Sequence, residues 1–118
     1  MPMEFNQDRP IYRQIIDNSF HRILSGEWRE GERVPSVREL SVEVAVNTHT
    51  VLKAYEYLQA HGIITPRRGM GFYLAPDAVA KVNATRREEF FNNTLPAIRT
   101  EMQLLGISID ELVEKLQG

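Results

Sequence analysis

Cysteine is absent from this 118-residue chain. That removes disulfide frameworks, thiolate nucleophiles and cysteine metal sites together, and it suits a reducing compartment. Long apolar runs are missing too. No stretch reaches the length a bilayer crossing needs, and no basic segment followed by an apolar run opens the chain. The expectation is a soluble, cytoplasmic protein with no membrane partner. Strong charge of one sign is also lacking: the formal net charge is −2, which argues against a wholesale polyanion binder. The balance is uneven, however. From Asn47 to Tyr73 the only acid is Glu56, against Lys53, Arg67 and Arg68, whereas acids outnumber bases from Pro76 onward. A basic stretch on a mildly acidic protein fits a polyanion contact confined to one face.

What is present is helical punctuation. Met3 to Asn6 could form a short extended arm. Asp8 offers an N-cap and Pro10 stands near the first helical position. Behind them Ile11, Tyr12, Ile15, Ile16, Phe20, Ile23 and Leu24 recur at helical spacing, with Arg13, Asp17 and Arg22 on the other side, and Gly26 closing a helix over 10–25. Trp28 should pack back on its end. Ser36 and Glu39 make an S-x-x-E capping box for a short helix with Val37, Leu40 and Val44 inward. Asn47 caps a third helix with Val51, Ala54, Tyr55 and Leu58 inward, and Gly62 supplies its left-handed stop. Ile63-Ile64-Thr65 and Phe72-Tyr73-Leu74 read as strands around a turn from Pro66 to Gly71. Two helices meeting through a tight turn and followed by a basic-tipped hairpin make a winged helix-turn-helix.

Past Pro76-Asp77 a helical stretch runs from about Ala78 to Leu105, interrupted or kinked at Pro96, and Ser108 with Glu111 caps a last helix. The expected organisation is therefore a mainly α protein with a small β-hairpin: a winged domain over 1–75 and a two-helix tail over 76–118. The tail's apolar residues (Phe90, Phe91, Leu95, Ile98, Met102, Leu105, Leu112 and Leu116) have little of their own to pack on, so burial against a second subunit is expected.

In such a fold the start of the third helix enters the major groove. Asn47, Thr48, His49 and Thr50 are short donors and acceptors there, next to the positive end of the helix dipole, and Lys53 follows one turn on. Ser36 and Arg38 open the preceding helix, and Arg67, Arg68 and Gly69 occupy the hairpin tip. Taken singly, each is ordinary polar surface; together they occupy places that project from one side of the fold. Phosphate contacts would provide most affinity and base contacts selectivity. Catalysis lacks its parts: Ser36 and Ser108 serve as caps, no histidine stands in a motif with Ser and Asp, and Glu88-Glu89 read as solvated surface.

The stretch "EGERVPSVRELSVEVAVNTHTVLKAYEYLQAHGIITPRRGMGFYL" resembles the DNA-binding domain of GntR-type bacterial transcription regulators. The resemblance lies in Glu30-Gly31, Pro35-Ser36, Arg38, Leu40, Val46-Asn47, Thr50-Val51, Gly62 and Arg68-Gly69-Met70-Gly71. "VNTHTVLKAY" behind "PIYRQI" is similar to the YtrA-type subfamily, and the short tail also fits it. The resemblance implies a sequence-specific regulator, in all expectation a repressor, that binds a double-stranded operator as a homodimer without a cofactor. It places Ser36, Arg38, Thr48, His49, Thr50, Lys53 and the wing around Arg68-Gly69 at DNA-contacting positions. Many members carry arginine where Thr48 and Leu52 stand here, so their operators do not carry over. Glu30 replaces a usual proline, which reads as a matter of the turn. Some relatives bind metal through histidines in a large C-terminal domain. Here the histidines are His21, His49 and His61 and the remainder after Ala75 is short, so no metal site is expected and any effector is undetermined. The rival reading is a winged helix that docks a protein instead of DNA.

Overall fold

The computed structural model describes residues 9–118, so the arm at Met3–Asn6 and the Asp8 cap lie outside the described residues. Helix α1 (Ile11–Leu24) starts one residue later than the expected 10–25, with Pro10 standing just outside it as the N-cap. The extended ψ of Pro10 aims its carbonyl at the first helical amides, Arg13 and Gln14. The buried stripe is Ile15, Ile16, Phe20 and Ile23; Ile11 and Leu24, expected inward, are exposed at the two ends.

Helix α2 (Val37–Val44) carries the full capping box. Ser36 Oγ accepts from the Glu39 amide at 3.0 Å, and Glu39 Oε1 accepts from the Ser36 amide at 2.9 Å. Its end turns sharply at Ala45, which adopts the left-handed conformation at φ 57°. Helix α3 (Thr48–Ala60) follows with Asn47 as cap, and Val51, Ala54, Tyr55 and Leu58 all point into the core. Gly62 supplies the left-handed turn after His61.

Strands β1 (Ile64–Arg67) and β2 (Gly71–Leu74) form an antiparallel hairpin with Ile64 opposite Leu74 and Arg67 opposite Gly71. β1 runs on through Pro66 and Arg67, which the sequence had assigned to the turn. A proline is tolerated there because β1 pairs with β2 alone. The other edge of β2 is taken by residues 31–34: the Gly31 amide donates to Leu74, the Leu74 amide to Glu32 and the Val34 amide to Phe72. The loop before α2 thus frames the wing.

Helix α4 (Ala78–Glu89) passes into a π-helical turn, Phe90–Thr94, and then α5 (Leu95–Leu105). Pro96 has no amide to offer the carbonyl four residues back, and the ladder accommodates this by widening just ahead of it. The Leu95 amide accordingly reaches back five residues to Phe90. Gly106, at φ 67°, ends α5, and Ser108 caps α6 (Ile109–Gln117) by accepting from Glu111 at 3.1 Å. The chain divides into two compact units after Asn83, beyond the residue 75 boundary expected from Pro76, because Ala78 and Val82 are fully buried. In the second unit no residue of the π-helical turn, α5 or α6 is buried. No helix among the described residues is long and apolar enough to cross a membrane.

Candidate nucleic-acid interface

A closed core holds the site. Tyr55 sits edge-on between Trp28 and Phe72, with ring centroids 6.4 and 5.5 Å away, and donates from its hydroxyl to the Pro35 carbonyl at 2.6 Å. That bond ties α3 to the loop that opens α2 and flanks the wing. Burial pushes the Tyr55 phenol well above its ordinary value. Arg22, expected on the solvent side of α1, is instead buried. It meets Glu43 of α2 and Glu27 at 3.1 and 3.2 Å, beside the Trp28 ring. Helical spacing alone put it on the polar side, because Glu43 and Trp28, which help to cover it, lie beyond α1.

On this frame the expected contact residues fall into two groups. Arg38, Thr48, His49 and Arg68 are exposed, and their side chains make no hydrogen bond or ion pair among the described residues. Thr50 is half-buried, and its side chain likewise has no partner among the described residues. They stand at the start of α2, the start of α3 and the wing turn, where donors can be directed outward at little cost to the fold. Gly69 tops the turn at φ 73°, with open space around the position a Cβ would take. The other group is engaged within the molecule. Ser36 and Asn47 act as caps, Asn47 Oδ1 accepting from the His49 amide at 2.8 Å. Lys53 Nζ lies 4.1 Å from the centre of the Tyr12 ring on α1. Arg67 is on β1, not at the tip, with its guanidinium 3.8 Å from the Tyr73 ring. Contacts of this kind are worth only about 0.5–1 kcal/mol at exposed sites, so either cation can be released to a phosphate.

Residues that the sequence did not single out position these groups. Arg33 reaches both the wing turn and Glu39. The Glu39 carboxyl is held below the usual carboxylate range, chiefly by the Ser36 amide and hydroxyl and then by Arg33. Glu30 is more than a turn residue: its carboxylate accepts from the Val79 amide at 3.0 Å and so caps α4 across 49 positions. Local spacing carries no signal for either pairing. His61, a helix-end residue as expected, stacks on Tyr57 at 4.0 Å, with Nδ1 2.9 Å from that residue's carbonyl oxygen.

In the tail, Leu95, Ile98, Met102 and Leu112 line an apolar groove of about 450 Å³ between α5 and α6. Phe90, Phe91, Leu105 and Leu116 are exposed, the first two as an edge-to-face pair with centroids 5.2 Å apart.

Comparison with known proteins agrees with this geometry. The family described as "Bacterial regulatory proteins, gntR family" matches residues 11–74. The HTH-type transcriptional repressor YtrA of Bacillus subtilis (strain 168) is 44% identical over 105 residues, covering 89% of this chain and 80% of the relative. A GntR family transcriptional regulator from Listeria monocytogenes superposes with a TM-score of 0.79 at 30% identity, over 96% of this chain and 97% of the other. A solved structure of AraR(DBD) in complex with operator ORR3 aligns with a TM-score of 0.55 at 25% identity, over 64% of this chain and 90% of that one.

Proposed function

The chain belongs to the GntR family of DNA-binding transcriptional regulators, in its YtrA-type branch, and from that premise we propose that it is a repressor acting as a homodimer on a two-fold operator. The observation that carries the DNA-contact part is the set of donors at the start of α2, the start of α3 and the wing turn that have no side-chain partner among the described residues. Arg38 and Arg68 would take phosphates, while Thr48 and His49 would meet base edges in the major groove. The amides of the first turn of α3 add the positive end of the helix dipole. Repression and dimeric binding are supported by the similarity to the YtrA repressor and by helices α5 and α6, none of whose residues is buried. Two recognition helices would then reach half-sites roughly 34 Å apart, one turn of duplex.

Selection of bound sequences from a pool of random duplexes tests this. A two-fold motif should emerge. Arg38→Ala and Arg68→Ala should each weaken binding to every duplex, and each should lower the slope of log affinity against log salt by about one. Folded variants that bind as the parent does would favour a protein-docking winged helix instead.

A further inference from the structure

Arg33 lies in a turn-rich stretch, where an arginine is ordinarily solvent decoration. Here it has contacts in two directions. Its backbone bridges Tyr73 of β2. Its Nε donates to the Met70 carbonyl in the wing turn at 3.3 Å, and Nη2 donates to Glu39 Oε1 at 3.0 Å. The same carboxylate oxygen accepts the Ser36 amide, so Arg33 is joined to the capping box of α2. The guanidinium also lies close over Gly71, where a Cβ would meet Nε at 3.1 Å. Arg38 immediately precedes Glu39, and Arg68 lies two residues before Met70. One planar cation therefore spans the two segments that carry Arg38 and Arg68.

We propose that Arg33 is a positioning residue for DNA binding, fixing the wing turn to the start of α2 so that Arg38 and Arg68 meet one duplex as a preset pair. This rests on the DNA-binding reading above. The wing turn has Gly69 at its top at φ 73° and Gly71 at its end at φ 89°, so without a side-chain tie its orientation would have to be fixed at the moment of binding, at a cost in affinity. The planar fork of arginine donates in two fixed directions; a lysine ammonium on a flexible stem is a poor substitute. The tie is exposed and adds little to fold stability. Its value lies in pre-organisation.

A double-mutant cycle on a duplex recovered by the selection decides the matter, with affinity read by fluorescence anisotropy over a salt series. Arg33→Ala should weaken binding about tenfold, the scale of one charge-assisted contact, while the melting temperature hardly moves. Arg33→Lys should recover little of the loss. In the Arg33→Ala background, Arg68→Ala should cost less than about twofold more and leave the salt slope where Arg33→Ala put it, because the two act as a unit. Additive losses and slopes would show Arg33 touching phosphate by itself and would overturn the proposal. Full affinity in Arg33→Ala would overturn it equally, since the wing would then hold its place unaided. Should Arg33→Ala fail to fold, the same cycle with Arg33→Lys decides. A parent protein that binds no duplex at all removes the DNA-binding reading, and this inference with it.

Discussion

His49 is the residue most free to choose a base: it is exposed on the first turn of α3, its amide is already satisfied by Asn47, and its ring has no partner among the described residues. His49→Ala should therefore alter base preference more than affinity for unrelated duplexes, which a comparison of the selected sequence with a scrambled one will measure. An equal loss on both would assign the ring to phosphate. Tyr55 works from the opposite side of the helix. Burial raises its phenol above the ordinary 10.0, so the folded state holds the proton more tightly than the unfolded chain. Its contribution to stability is complete below pH 10 and is lost as pH rises past that value. Tyr55→Phe should cost about 1 kcal/mol at neutral pH, from the lost bond to Pro35, and flatten the alkaline decline in thermal melts.

Element starts and stops are where the sequence was most legible, because their causes are local. The Ser36–Glu39 box, the Asn47 cap, the Gly62 stop and the inward face of α3 all depend on neighbours within one or two turns. What was not legible depends on chain from far away. The Glu30 cap on α4 joins residues 49 apart, and the Arg33 contact with Met70 joins residues 37 apart. Arg22 looked solvent-facing because the Glu43 and Trp28 that enclose it lie beyond α1. The π-helical turn was half legible: Pro96 announced a disturbance, but its form follows from how the bypassed carbonyls find new donors. Two substitutions test these local causes by chemical denaturation. Ala45→Gly should stabilise by up to about 1 kcal/mol by relieving the left-handed strain, whereas Ala45→Val should destabilise. Glu30→Ala should cost about 1 kcal/mol by leaving the Val79 amide uncapped.

At the scale of the whole molecule, the first unit closes its own core, while the second buries no residue of α5 or α6 and leaves Phe90, Phe91, Leu104, Leu105, Ile109 and Leu116 exposed. An apolar surface of this kind commonly marks an interface between subunits. Sedimentation at micromolar concentration should find a dimer, and Leu112→Asp with Leu116→Asp should yield a folded monomer with weakened operator binding. A parent chain that sediments as a monomer would end the two-fold arrangement. The expectation that duplex DNA lies against the helix starts and the wing can be checked residue by residue. Amide resonances of the isotopically labelled chain, followed while the selected duplex is titrated in, should shift at residues 36–38, 47–53 and 67–70. Shifts confined to residues 95–116, or none at all, would mean that DNA is not held where we place it.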